Sequence, residues 1–171
     1  MRQERRSVFE TNSSSTHSIC IATNRNTELT YPEKLYFKCK EFGWDIRHLT
    51  SPEDKAAYLY ASFLELYNRD KAQEVMTFIM EVLQDVGVQC EFETPVYRRY
   101  GDGVFYVQNA GVDHCGEDDH RRFVDKTTNN KGRLLRYLFS DESFVLMGND
   151  NSEHDVTIRA FYPHEEYYKG N

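Results

Sequence analysis

The sequence is poor in the features that mark several classes of protein. It has only 4 Pro and 9 Gly among its 171 residues, while 39% of the residues are apolar and 29% are charged. This balance excludes collagen-like, low-complexity and wholly disordered chains. The sequence has no long uninterrupted apolar run, and its basic opening, MRQERR, is not followed by the apolar segment of a signal peptide. We therefore expect a cytoplasmic protein with no membrane partner.

Cysteine is also scarce and widely spaced. The four cysteines, Cys20, Cys39, Cys90 and Cys115, include no Cys-x-x-Cys pair, so a zinc knuckle is not indicated. A chain of this length buries about 70% of its unfolded surface and needs no disulfide to hold a core. We expect reduced thiols and a single domain covering residues 1–171.

Acidic residues outnumber basic ones, 28 against 21, and the formal net charge is −7. This acidity disfavours a general nucleic-acid coat protein, because such proteins bind by neutralising phosphates. It does not exclude an enzyme with a local basic cleft. Several arginines in fact occur in pairs, among them Arg5 with Arg6 and Arg98 with Arg99. An acidic protein with grouped arginines suits either a phosphate-bearing ligand or a basic protein partner.

The apolar pattern predicts an α+β domain. Its predicted sheet is mainly antiparallel, with about five or six strands, and it is accompanied by a helical hairpin and one further helix. Ser51 and Pro52 form a helix start, and Gly87 is a helix stop. The predicted helices cover residues 52–67, 70–86 and 131–139, and the predicted strands cover residues 17–22, 34–38, 88–93, 104–108, 144–147 and 156–161. Residues 148–151, Gly-Asn-Asp-Asn, are predicted to form the turn between the last two strands.

The least ordinary segment is residues 9–18, Phe-Glu-Thr-Asn-Ser-Ser-Ser-Thr-His-Ser. Its hydroxyl and backbone N–H groups are suited to wrap an anion, and His17 offers a proton-transfer group that titrates near neutrality. The alternative is a solvated turn that leads into a strand. The residues predicted to bind phosphate are Arg5, Arg6, Asn12, Ser13, Ser14, Ser15 and Ser18.

A second polar cluster covers residues 113–120, Asp-His-Cys-Gly-Glu-Asp-Asp-His. Asp113 could orient the imidazole of His114 for acid–base catalysis, or the two could bind a divalent cation such as magnesium together with His120 or Asp150. The alternative is an acidic surface loop leading into a helix, and for residues 117–119 we favour it. We take His17, His114 and Asp113 as candidate catalytic residues, and Glu10 and Asp150 as candidate additional site residues.

Residues 5–19, RRSVFETNSSSTHSI, resemble the opening of a family of uncharacterised proteins from phages and mobile elements of Gram-positive bacteria. That family also carries a Gly-Trp pair, an Asp-His pair after a middle strand and a late Ser-containing stretch that ends in Gly-Asn-Asp. The matching positions in this chain are Gly43-Trp44, Asp113-His114 and residues 143–150. The resemblance implies an accessory protein in the host cytoplasm. In such settings inhibitors of host defence are common, anti-CRISPR proteins among them.

Two classes of function remain open. The first is an enzyme that acts on a phosphodiester, above all RNA. The Ser-rich loop would hold the phosphate, and His17 and His114 would act as general base and acid, with or without a divalent cation. The second is a non-enzymatic acidic inhibitor that occupies the nucleic-acid groove of a host defence protein. Its carboxylates would come from residues 117–119, 153–155 and 165–166. A nucleotide-binding sponge that does not cleave its ligand is a third alternative.

Overall fold

The computed structural model describes residues 15–23, 28–43, 47–99, 105–112, 117–149 and 166–170. Within them the chain is mixed α and β, and its elements follow one another in this order: β1 (Ser15–Ile21), β2 (Lys34–Phe37), β3 (Glu41–Phe42), β4 (Arg47–Leu49), α1 (Pro52–Leu66), α2 (Arg69–Gln84), β5 (Gln89–Phe92), β6 (Tyr97–Arg99), β7 (Phe105–Val107), β8 (Gly111–Val112), α3 (Glu117–Thr127), α4 (Lys131–Phe139), β9 (Phe144–Asn149) and β10 (Glu166–Gly170). The α+β class predicted from the sequence is thereby confirmed.

The largest sheet among the described residues has four antiparallel strands in the order β10-β1-β9-β4. β1 lies between two strands from the far end of the chain: His17 is opposite Gly170 on one side and Met147 on the other. Because Gly148 and Asn149 pair with Thr16 and Ser15, β9 continues through the first half of the predicted 148–151 turn. The predicted strand at residues 156–161 lies outside the described residues.

Three smaller pairs of strands accompany this sheet. β2 pairs with β5 and β3 pairs with β8, both in parallel, whereas β6 and β7 form an antiparallel hairpin. In the described part of the chain, no sheet therefore reaches the predicted five or six strands. The two parallel pairs differ from the mainly antiparallel expectation. For β2 and β5 the reason is that α1 and α2 lie in the connection between them, since parallel strands need a long crossover of this kind.

The helical hairpin is confirmed, and local sequence signals account for its ends. The Ser51 side chain accepts a hydrogen bond from the Asp54 N–H, and Pro52 occupies the first turn of α1. Asn68 caps α2 in the same way, accepting from the Lys71 N–H. Gly87 follows α2 with a φ of 79°, a left-handed conformation in which glycine carries no Cβ penalty.

α3 corrects the expectation of an acidic surface loop at residues 117–119, because these residues form the first turn of a helix. Acidic side chains there are favoured by the positive end of the helix dipole. The further predicted helix is confirmed as α4, with Asn130 as its N-cap. Four helices are thus described, one more than predicted.

One hydrophobic core connects the large sheet, the helices and the β2–β5 pair. α1 lies at its centre, since every residue from Lys55 to Leu64 is buried. Fully buried aromatic rings fill much of the core, namely Tyr58, Tyr60, Tyr137, Phe37, Phe63 and Phe123. None of the described helices is both long enough and apolar enough to cross a membrane.

Candidate functional site

β1 places the candidate catalytic residue His17 inside the core. Its side chain is 0% exposed, and Nδ1 lies 3.0 Å from the hydroxyl oxygen of Tyr58 on α1. The two ring centroids are 5.8 Å apart. His17 is therefore in contact with an aromatic side chain of the core. Its role as a general acid or base stays a prediction.

A second buried histidine, His120 on α3, also lies near Tyr58, with ring centroids 6.2 Å apart. Its Nε2 is 2.8 Å from the Ser62 hydroxyl oxygen, and that hydroxyl donates its own hydrogen to the Tyr58 carbonyl oxygen at 2.7 Å. Because a serine hydroxyl has one hydrogen, it accepts from His120, which assigns the imidazole proton to Nε2. Burial, together with the nearby His17, lowers the pKa of His120 to about 4, so this ring is neutral at pH 7.

The predicted phosphate-binding residues are only partly described. Ser18 is buried next to His17 on β1, and adjacent side chains on a strand point to opposite faces, so the structure does not bring these two together. Ser15 is paired with Asn149 through the backbone, and its side chain is not described. The following candidates lie outside the described residues: Arg5, Arg6, Glu10, Asn12, Ser13, Ser14, Asp113, His114 and Asp150.

Cation binding gains no support from the described part of the chain. Within it, no three histidine, cysteine, aspartate or glutamate side chains come close enough together to hold a metal ion. The candidate ligands Asp113, His114 and Asp150 belong to segments outside it. The further candidate ligand His120 is described, but it is buried and its Nε2 is hydrogen-bonded to the Ser62 hydroxyl. Among the cysteines with described positions, Cys20, Cys39 and Cys90 form no disulfide bond.

The described surface contains a cleft of about 820 Å³, which we call the tyrosine cleft. The corner between α1 and α2 forms one wall, the β6–β7 hairpin forms another, and the β3–β8 pair forms the floor. Its lining residues are Glu41, Phe42, Leu64, Glu65, Tyr67, Asn68, Arg69, Tyr97, Tyr106, Val107, Gln108, Ala110, Gly111 and Val112. Its volume is within the range of about 300–1,000 Å³ typical of small-molecule sites.

The tyrosines of the cleft are held by specific contacts. The Tyr67 hydroxyl donates a short hydrogen bond to Asp125 Oδ1 on α3, and burial together with this carboxylate raises the pKa of Tyr67. Tyr97 packs under Arg69, whose guanidinium carbon is 5.7 Å from the centre of the ring, a cation–π distance. The hairpin that carries Tyr97 and Tyr106 is closed by two hydrogen bonds of 2.8 Å at Val96, whose N–H donates to Asn109 Oδ1 and whose carbonyl oxygen accepts from the Gln108 N–H.

The charges of the cleft are unevenly distributed. Glu65 accepts a hydrogen bond of 2.5 Å from the Val112 N–H, and Glu41 pairs with the neighbouring Gly111, so both carboxylates lie near the floor. Arg69 lies on the hairpin side, over Tyr97. A bound molecule would therefore meet positive charge at the hairpin and negative charge at the floor.

A chain of aromatic side chains connects the cleft to the buried histidines. Phe42 lines the cleft and packs edge-on against Tyr58, with ring centroids 5.2 Å apart. Tyr58 in turn contacts His17. Two aromatic rings thus lie between His17 and the cleft.

A buried lysine outside the cleft has a structural role. Lys55 on α1 is 1% exposed, and its Nζ donates to the carbonyl oxygens of Ser140 at 2.8 Å and Ser143 at 3.0 Å. These bonds attach the end of α4 and the following turn to α1. Burial lowers the pKa of Lys55 to about 8, although the charge of Asp141 opposes the effect.

Sequence reasoning missed the residues of the tyrosine cleft. Its walls come from four separate stretches of the chain, so no local spacing connects them. One signal was nevertheless present: residues 97–100 read Tyr-Arg-Arg-Tyr, and alternating aromatic and basic residues are typical of single-strand nucleic-acid binding. Of this run, only the Arg98–Arg99 pair entered the sequence-based predictions.

The chain was compared with known proteins at three levels. Comparison with protein-family models gave no match, and neither did comparison with curated proteins or with solved structures. The function must therefore be inferred from the geometry of the cleft and the residues around it.

Proposed function

We propose that this chain is an accessory protein of a phage or other mobile element, and that it binds RNA or a nucleotide in the tyrosine cleft and acts on its phosphodiester. The observation that carries the proposal is the cleft itself, in which Tyr67, Tyr97 and Tyr106 surround a space of about 820 Å³ beside Arg69. Tyrosine rings bind bases by stacking, at about 1–3 kcal/mol per base. A guanidinium group adds attraction for phosphate.

The proposal assigns proton transfer to His114, with Asp113 orienting its ring. In the sequence these two residues follow Val112 directly, and Val112 lines the cleft. A histidine that titrates near neutrality suits acid–base attack on RNA through its own 2′-hydroxyl. The Ser-rich segment of residues 9–18 and the Arg5–Arg6 pair would supply further phosphate contacts.

The test is incubation of the purified protein with end-labelled single-stranded RNA and DNA, in magnesium and in EDTA. We expect RNA cleavage by the wild-type protein, loss of cleavage in His114→Ala and weaker RNA binding in Tyr97→Ala. Tyr36→Ala is the matched control, because this tyrosine is 43% exposed and lies outside the lining of the cleft. His17→Ala is tested separately, since this buried side chain contacts Tyr58.

Each outcome of this experiment has a definite meaning. Cleavage that persists in EDTA supports histidine acid–base chemistry, and cleavage that requires magnesium supports a cation held near Asp113. RNA that is bound in a Tyr97-dependent manner but remains intact supports the sponge, without catalysis. If the wild-type protein neither binds nor cleaves any substrate, the proposal is wrong.

The alternative proposal is a non-enzymatic inhibitor. Like the enzyme, it would protect the phage or mobile element by countering a defence system of the host. What weakens it is that the acids of residues 117–119 have a local explanation at the start of α3, where Asp119 also pairs with Arg122 at 3.2 Å. Groove mimicry would appear as capture of a host nucleic-acid-binding protein that weakens steeply as salt rises. Protection of an infecting phage from host defence, scored by plaque counts, tests the counter-defence role itself.

A further inference from the structure

The β6–β7 hairpin presents basic and aromatic side chains together. In its register Arg98 lies opposite Tyr106, and Tyr97 lies opposite Val107. Directly opposite residues share a face of the hairpin, with Cβ atoms about 5 Å apart. Arg98 therefore lies beside Tyr106, and Arg99 lies two positions along from Tyr97 on the other face. Each cleft tyrosine of the hairpin thus has an arginine on its own face.

The two hairpin arginines extend beyond the cleft. Arg98 and Arg99 are exposed, and neither belongs to the lining of the cleft, whereas Tyr97, Tyr106 and Arg69 do. A ligand wholly contained in the cleft would meet Arg69 but would not need Arg98 or Arg99. A ligand that continued out of the cleft across the hairpin would meet all three.

The acidic floor restricts the orientation of such a ligand. Glu41 and Glu65 repel phosphates and accept hydrogen bonds from the amino groups of bases. The phosphates are therefore favoured on the hairpin side, and base edges are favoured towards the floor. In this orientation the faces of the bases lie against Tyr97.

We infer that the ligand of the tyrosine cleft is an unpaired RNA strand longer than one nucleotide, which enters the cleft past the edge of β6, where Arg98 from one face of the hairpin and Arg99 from the other contact its backbone. This inference rests on the proposed function. Stacking of bases on the cleft tyrosine rings excludes a duplex as the ligand. In a duplex each base is stacked between its neighbours, so its faces do not reach an aromatic ring. A free mononucleotide leaves the two exposed arginines unused.

The test measures the binding of a fluorescein-labelled 12-nucleotide RNA of mixed sequence by anisotropy, at several salt concentrations. The comparison ligands are the same RNA annealed to its complement and the four nucleoside 5′-monophosphates as competitors. The double variant Arg98→Ala/Arg99→Ala is compared with Lys131→Ala, an exposed lysine that pairs with Asp85. Lys131 contacts the far end of α2, about 24 Å from Arg69 at 1.5 Å per helical residue.

We expect the single strand to bind at least tenfold more tightly than the duplex or any mononucleotide. The double variant should weaken binding of the strand at low salt and should reduce the slope of log affinity against log salt by about 0.7 for each arginine. Competition by mononucleotides should be unchanged in that variant. Tyr97→Ala should weaken both ligands about tenfold, whereas Tyr97→Phe should retain stacking and affinity.

Other outcomes separate this inference from the proposed function. If mononucleotides compete in a Tyr97-dependent manner but the strand binds no better than they do, the proposed function stands and the inference is wrong. Equal affinity for duplex and single strand also overturns the inference, as does an unchanged salt slope in the double variant. If no RNA and no nucleotide binds at all, both are overturned. Circular dichroism melts show whether each variant is folded.

Discussion

Replacement of His120 by glutamine should make the protein less sensitive to mild acid. His120 is 3% exposed, and the side chains around it are His17 from β1, Tyr58 and Ser62 from α1, and Phe123 from its own helix. None of these supplies a negative charge to balance an imidazolium. Protonation in the folded state is therefore unfavourable, and the pKa of His120 falls to about 4.

The sign and size of the effect follow from linkage. Because a tenfold change in proton affinity corresponds to about 1.4 kcal/mol, the gap between 6.5 in the unfolded chain and about 4 in the folded one amounts to about 3 kcal/mol. The unfolded chain binds the proton first as pH falls, so this contribution is fully present above pH 6.5 and is lost progressively towards pH 4. From pH 7.5 to 4.5 we expect a loss of about 2.5 kcal/mol from this one group.

The assay is urea unfolding at pH 7.5, 6.0 and 4.5 for the wild type, His120→Gln and His48→Gln. Glutamine keeps a donor for the Ser62 hydroxyl but does not titrate, so its variant should lack this part of the acid sensitivity. His48 is the matched control, since it is exposed on β4. Acid-sensitive carboxyl groups are common to all three proteins and cancel in the differences. If His120→Gln loses as much stability on acidification as the wild type, the reasoning about buried His120 is refuted.

Two further predictions concern the scaffold. Gly87→Ala should lower the free energy of unfolding by about 1 kcal/mol, because the φ of 79° is unfavourable for alanine. Steric overlap does not contribute, since no atom lies within 4 Å of the added methyl group. Urea unfolding measures the loss of stability, and an unchanged unfolding midpoint would contradict the prediction. Burial lowers the pKa of Lys55 from 10.5 in the unfolded chain to about 8 in the folded one. Between these two values the unfolded chain binds more protons than the folded protein, so the free energy of unfolding should rise by about 2 kcal/mol from pH 7.5 to 9.5. Lys55→Met should lack this rise in the same assay, and a rise of equal size in the variant would show that another group is responsible.

Local signals were enough to predict the helical hairpin. Ser51, Pro52 and Gly87 each act through their own backbone neighbours, so their effect can be recognised without knowledge of the rest of the fold. The same holds for the alternating pattern of β2 and β5, in which every second residue faces the core or is partly buried. Such elements are readable from sequence because their cause is short-range.

α3 was not predicted because its buried face is largely polar. The buried residues His120, Phe123, Val124 and Thr127 follow helical spacing, but only two of the four are apolar. Its remaining positions are mostly charged, which matches a surface loop equally well. Here tertiary contacts, such as the bond of His120 to Ser62, stabilise a helix that local hydrophobicity does not indicate.

Short strands and the tyrosine cleft depend on distant partners. β3 and β8 have two residues each and exist as strands only because they pair with each other across about 70 residues of chain. The cleft lies on this pair, with walls from the helical corner and the hairpin. The sequence therefore led to candidate residues at residues 9–18 and 113–120, but it could not indicate the concave surface to which Tyr97 and Arg69 belong.

The position of β1 between β9 and β10 has a consequence for the synthesis of the protein. β1 leaves the ribosome early, but β9 begins only at Phe144 and β10 at Glu166. At about 5–20 residues per second, the roughly 120 residues that separate β1 from β9 take about 6–25 s to be added. During that time Ile19 and Ile21 lack both neighbours of their strand. Fragments that end before Phe144 would keep two open strand edges, and such edges recruit other chains. Interrupted translation of this sequence should therefore yield aggregating products rather than inert ones.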